Sequence, residues 1–147
     1  MIFNQVEMED IKLVKLYNRG ERDFSNQVLY KIYRRNSKRR SVKAGSIHEP
    51  PNFSNKILTE INLSYSTLKG ANFTGANLTD ANFTGANLTG TDFTEANLSG
   101  ADLTDACLDY ALLKDAIFDE QTKIHEKYYL IWEIINNKAI GCSRISL

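Results

Sequence analysis

Residues 71–105 read ANFTG ANLTD ANFTG ANLTG TDFTE ANLSG ADLTD, seven consecutive blocks of five. Each block keeps a small residue first, Asn or Asp second, Phe or Leu third, and Thr or Ser fourth. A period of five fits neither the 3.6 residues per turn of a helix nor the alternation of a strand, either of which would scatter the large side chains over opposite faces. The chain must therefore turn once per block.

Outward from this stretch, blocks of five run without a gap from Pro51 to Glu120, fourteen in all. Their third positions are Phe53, Leu58, Leu63, Leu68, Phe73, Leu78, Phe83, Leu88, Phe93, Leu98, Leu103, Leu108, Leu113 and Phe118. If each block forms one side of a square coil, every third residue points inward, and so does the residue two before it. That first position has to be small, because four large side chains already fill the axis. It is Ala at 71, 76, 81, 86, 96, 101, 106, 111 and 116. Positions two, four and five are left to face water.

The pattern resembles the pentapeptide-repeat family, whose consensus is A-(D/N)-L-x-x; residues 71–105 match it closely and the flanking blocks more loosely. The resemblance implies an all-β solenoid, a right-handed quadrilateral β-helix with four blocks per coil. Fourteen blocks then make three and a half coils, about 17 Å long at roughly 4.8 Å between paired strands. Residues twenty apart stack into ladders, such as Phe53, Phe73, Phe93 and Leu113. Each buried Phe or Leu should contribute roughly 1.5–3 kcal/mol, and each coil needs its neighbours to bury it.

A β-helix cut off flat exposes unpaired backbone and core, so both ends should carry caps. In residues 121–141, Ile124, Tyr128, Ile131, Trp132 and Ile135 recur at helical spacing, with Gly141 as a stop. This stretch resembles the helix that follows the repeats in many cyanobacterial members of the family, although here the chain goes on as CSRISL. Residues 6–18 read as a second short helix, with Asn4 and Glu7 placed like a capping pair and Gly20 as the stop. GERDFSNQVLYK resembles the family's entry segment, which would put Phe24 and Leu29 at central positions. The next such position would be Arg34, so the repeat breaks, and it restarts out of step at Phe53. Residues 30–50 thus read as an inserted loop. The organisation expected is a capping helix over 1–20, entry segment and loop over 21–50, β-helix over 51–120, and capping helix with tail over 121–147.

The composition, 42% hydrophobic and 24% charged, is that of a globular protein, and the net charge of zero hides a segregation. Residues 1–50 sum to +5, residues 51–120 to −7 and residues 121–147 to +2. No apolar run reaches the roughly 18 residues of a spanning helix, and MIFNQVEMED has no positive region leading into an apolar one, so a cytoplasmic protein without a membrane partner is expected. Cys107 and Cys142 stand far apart without a C-x-x-C pairing and read as free thiols. The seven N-x-S/T triplets follow from the repeat itself and do not signal glycosylation.

Enzymatic chemistry finds no foothold. His48 and His125, the only histidines, lie in separate segments, so no catalytic pair, metal site or cofactor site is expected. Asp102, Asp105, Asp109, Asp115, Asp119 and Glu120 gather acid on the last coils, where outward carboxylates serve solubility. Between 31 and 43 lie seven cations and no acid, among them Arg34, Arg35, Lys38, Arg39 and Arg40, beside Tyr30 and Tyr33. These are the candidate partner-binding residues, although charge runs are commonly just solvated. The leading expectation is a noncatalytic protein-interaction or scaffold module, a monomer or weak dimer with a protein partner. One alternative, implied by family members that confer quinolone resistance, is a DNA mimic that binds a DNA-binding protein such as gyrase. Those relatives have longer coils and dimerise through their ends. The other alternative is nucleic-acid binding through the basic loop.

Overall fold

The computed structural model describes residues 6–32 and 48–136. Its body is a four-sided coil in which each block of five is one side. The second positions of successive coils pair in parallel: Asn52 with Asn72, Ile57 with Asn77, Asn62 with Asn82, and Thr67 with Asn87. Two main-chain bonds make each pairing, as where Phe53 N–H donates to Asn72 O (2.7 Å) and Asn72 N–H to Pro51 O (2.9 Å). Consecutive sides are joined by tight turns, such as Ala71 N–H to Leu68 O at 2.9 Å. The fold is the right-handed quadrilateral β-helix.

Of the fourteen third-position side chains, thirteen are buried, and Phe118, on the last coil, is half-buried. Phe53, Phe73 and Phe93 stack in one column with ring centroids 5.0 and 5.3 Å apart, while Phe83 meets Phe73 and Phe93 edge-on from another side. The first positions from Ala71 to Ala106 are buried as well. Where a hydroxyl replaces Ala there, it is satisfied: Thr91 donates to Leu68 O (3.1 Å), and Ser66 donates to Phe24 O (3.0 Å). Position two is more than a solvated polar residue. Its side-chain oxygen accepts the N–H of position four in its own block, as Asn72 does from Thr74 (2.9 Å) and Asp92 from Thr94 (2.9 Å), so Asn and Asp there shape the corner.

The N-terminal part departs from the sequence expectation. β1 (Val6–Glu9) occupies the first third of the expected helix, and α1 spans only Asp10–Asn18, with no side-chain cap at Glu9. Asn4 lies outside the described residues, and Glu7 is in β1, so the expected capping pair does not form. The cause is a distant partner: β1 pairs in parallel with β2 (Gln27–Ile32), Met8 opposite Leu29.

The loop expected over 30–50 is likewise corrected at both edges, because β2 runs through Ile32 and pairs antiparallel with β3 (His48–Glu49). Phe24 and Leu29 are buried central residues, bonded to the sides at 61–65 and 66–70 through Phe24 N–H to Asn62 O (2.7 Å) and Leu29 N–H to Thr67 O (3.1 Å). In space the repeat does not restart out of step. Sides 22–26 and 27–31 are followed around the coil by side 51–55, and residues 32–50 are spliced between them.

At the other end, Asp102 pairs with Lys123 rather than with residue 122, one residue beyond the regular spacing of twenty. Ile124 therefore belongs to a further side of the coil, half-buried against the core, and α2 begins at Glu126 and runs to Asn136. Gly141, the expected stop, lies outside the described residues.

Candidate functional site

The interior of the coil is filled with side chains, so whatever this chain recognises must be met on its ends and outer faces. Both ends are closed by side chains that supply the hydrogen bonds a further coil would have made. At the first coil, Asn52 N–H donates to Asp10 Oδ2 (2.9 Å), and the Tyr17 hydroxyl donates to Thr59 O (2.9 Å). Leu13 and Tyr17 of α1 are buried against the core, and the Arg22 guanidinium lies 3.9 Å over the Tyr17 ring.

At the last coil, α2 is fixed at three places. Trp132 stacks on Phe118 (centroids 4.9 Å apart), and its indole N–H donates to Ala116 O at 2.7 Å. One turn later, Asn136 donates to Leu113 O (2.9 Å) and accepts from Asp115 N–H. At the start of the helix, Asp109 Oδ1 accepts from Lys127 Nζ and from the Tyr128 hydroxyl, both at 2.9 Å. Lys127 above all, then Tyr128, holds the Asp109 carboxyl below the usual aspartate range. The Lys127 ammonium is raised in turn, mainly by Asp109. Tyr128 is also pushed up, by burial first and by Asp109 second.

Two other acids are held charged on the last coils. Burial works to raise the Asp102 carboxyl, but the Thr104 hydroxyl and N–H together with Lys123 outweigh it. Asp119 is lowered chiefly by the Gly100 N–H, which it accepts at 2.9 Å. Asp105, Asp115 and Glu120 are exposed.

The basic residues singled out in the sequence, Arg34, Arg35, Lys38, Arg39 and Arg40, lie outside the described residues, as does Cys142; Lys31 and Tyr30 are in β2. His48 is in β3, while His125 sits before α2 and accepts Lys127 N–H at 3.1 Å, so the structure does not bring the histidines together. Cys107 is half-buried at a second position, 3.4 Å from the Thr89 hydroxyl. Among the described residues no group of His, Cys, Asp or Glu could hold a metal ion, and no helix is long and apolar enough to cross a membrane.

Sequence reasoning placed Trp132 and Tyr128 in a lid but missed Asp10, Tyr17, Asp109 and Asn136 as the groups that close the ends. Spacing gave one usable hint: Tyr128, Trp132 and Asn136 recur every fourth residue. Ile131 and Ile135, expected to face the coil, are 42% and 47% exposed instead.

A family model for pentapeptide repeats matches residues 57–95 and 81–119, in eight copies. The repeat region belongs to the pentapeptide-repeat family. Solved structures similar to this pentapeptide-repeat chain include the repeat protein Rfr23 of the cyanobacterium Cyanothece 51142, at 31% identity over 70% of this chain and 60% of that one, with a TM-score of 0.47. A pentapeptide-repeat protein of Nostoc Pcc 7120 is 26% identical over 88% and 94% of the two chains, with a TM-score of 0.41. One from the thylakoid lumen of Arabidopsis thaliana is 26% identical over 61% and 78%, with a TM-score of 0.45. This chain thus spans three fifths of the length of Rfr23. No curated protein matches it.

Proposed function

We propose that this pentapeptide-repeat chain is a noncatalytic, cytoplasmic interaction module, a stiff mount that presents surface elements to a protein partner. One observation carries the reading. The coil is solid from Phe24 to Leu113, and its register passes from the side at 27–31 directly to the side at 51–55, so the rod is complete without the residues between them. Solenoids of this kind recognise partners along extended faces rather than in pockets.

The test is affinity capture from native cell extract with the full chain and with a variant lacking residues 33–47. Loss of a captured partner on deletion makes the insertion the recognition element, whereas survival moves recognition to the coil faces and α2. Recovery of no specific partner by either form, with cross-linking included, would defeat the reading.

The −7 charge of residues 51–120 favours a second reading, a DNA mimic acting on a protein such as gyrase. Inhibition of gyrase supercoiling by the purified chain is its test; α1 and α2 across the coil ends speak against it. Direct nucleic-acid binding rests on the run of cations at 31–43, and it requires a salt-dependent affinity that disappears in the triple variant Lys38→Ala, Arg39→Ala, Arg40→Ala.

A further inference from the structure

α2 is apolar on two sides. Tyr128 and Trp132 face the coil, yet Leu130, Ile131, Ile134 and Ile135 are 49%, 42%, 68% and 47% exposed on the outside. Helices that are apolar all round are ordinarily covered on both faces, and a concentrated exposed apolar patch marks a contact site. The two sides beneath the helix also expose apolar side chains. Trp132 and Asn136 lay the second half of α2 on the sides at 116–120 and 111–115. The second positions of those two sides, where most sides carry Asn or Asp, are Ile117 and Leu112, 52% and 54% exposed.

Around this patch the charge is mainly negative, with Lys114 the one cation on the two sides. Asp115, Asp119 and Glu120 close the same two sides, and Glu133 lies on α2. Among the described residues the ion pairs of this region are Lys123–Asp102 and Lys127–Asp109, so none of these four carboxylates is paired with a lysine or arginine. The side-chain hydrogen bonds of Asp119 stabilise it as an anion without neutralising it. An apolar strip with an acidic rim excludes some occupants by charge. A second copy in a two-fold pairing would bring the same acids face to face, and an anionic bilayer would be repelled as well.

We propose that the outer face of α2 docks a cationic amphipathic helix of a partner protein, with apolar side chains on Leu130, Ile131, Ile134 and Ile135 and Lys or Arg against the acids around them. This rests on the interaction-module reading and names the face and the chemistry of the partner.

The test uses the full chain and two helical peptides, one built of Leu and Lys with Leu on one face, the other with Glu in place of Lys. Binding is followed by fluorescence anisotropy over a salt series. The Leu–Lys peptide should bind at least about tenfold more tightly than the Leu–Glu peptide, and the difference should shrink as salt screens the rim. The variant Ile131→Ser, Ile134→Ser should lose about tenfold in affinity while unfolding at an unchanged temperature, since both side chains are exposed. Glu133→Gln with Glu120→Gln should weaken binding severalfold and flatten the salt dependence, whereas Glu60→Gln, on the opposite end of the coil, should do neither.

Binding indifferent to Ile131 and Ile134, or weakened equally by Glu60→Gln, would reduce the effect to the general acidity of the coil and overturn the proposal. So would a dimer in sedimentation that Ile134→Ser dissociates, or adsorption to phosphatidylserine vesicles that Ile134→Ser abolishes. A partner captured through another face would leave the module reading standing and defeat this one alone.

Discussion

Position five of each block from Asn55 to Asp115, and Asn26 before them, enters the left-handed region, with φ near +60°, and this single backbone demand explains much of what varies along the repeat. Gly and Asn adopt it at little cost, but an ordinary side chain is strained by roughly 1–2 kcal/mol. Glu95, at φ 58, carries that strain. Glu95→Gly should therefore raise stability by about 0.5–1 kcal/mol, since part of the gain is offset by glycine's greater freedom in the unfolded chain; a urea titration monitored by circular dichroism measures it. The reverse change is worse than backbone preference alone suggests. A Cβ at Gly85 would stand 2.6 Å from the Tyr65 ring one coil earlier, so Gly85→Ala should destabilise by about 2 kcal/mol in the same titration. Loss of stability well under 1 kcal/mol would show that Tyr65, itself 55% exposed, swings clear.

At the scale of elements, α2 is held by one contact that titrates. Asp109 accepts from both Lys127 and Tyr128, and its folded-state pKa lies below the ordinary aspartate value of 3.8. A depressed carboxyl contributes stability above its unfolded pKa and loses it as pH falls through the folded one. The docking of α2 should accordingly be constant at neutral pH and loosen only as pH drops below about 4. Trp132 is the sole tryptophan and stacks on Phe118, so its fluorescence reports the docking directly. Asp109→Asn should remove most of the acid transition in that signal while leaving the far-ultraviolet spectrum of the coil intact. An unchanged acid transition would shift the anchor to Asp102 or Asp119. The coil sides were legible in the sequence because the decisive residues, such as Ala81, Phe83 and Gly85, sit within one block and repeat. The ends were not, because their structure depends on distant backbone. Val6–Glu9 has helical neighbours in sequence but becomes a strand by pairing with Gln27–Ile32, and Ile124 joins the coil through a one-residue slip that only the bond of Leu103 N–H to Lys123 O reveals. The candidate site was less legible still: helical spacing put Ile131 and Ile135 on the same face as Trp132, whereas the row that meets the coil is Tyr128, Trp132 and Asn136, drawn there by polar partners on distant sides.

For the whole molecule, the continuity of the coil across residues 32–50 makes a demanding prediction. Sides 22–26 and 27–31 bond to the sides at 61–65 and 66–70, and Pro51 opens the next side around the square. Excising residues 32–50 should leave an unbroken solenoid if the joint is given what a corner needs. Position five requires positive φ, which Lys31 does not supply within strand β2, and a proline restricts the residue before it. The variant should therefore combine the deletion with Lys31→Gly and Pro51→Ala, so that the joint reads QVLYG ANFSN. The deletion sacrifices the β2–β3 pairing at Lys31–Glu49 and Ile32–His48, and it shortens the connection between the two sides, whose closure opposes folding by only a few kcal/mol. The two terms are of similar size and opposite sign, so cooperative unfolding with a stability within about 2 kcal/mol of the parent is expected from calorimetry. A molten or aggregated product would mean that the insertion is part of the folding unit. In a folded product the N-terminal cap must still be in place, because Asn52 N–H has its acceptor in Asp10 and Thr59 O its donor in Tyr17. Protected amides at Asn52 and Phe53 in hydrogen exchange would establish that the rod stands without residues 32–50.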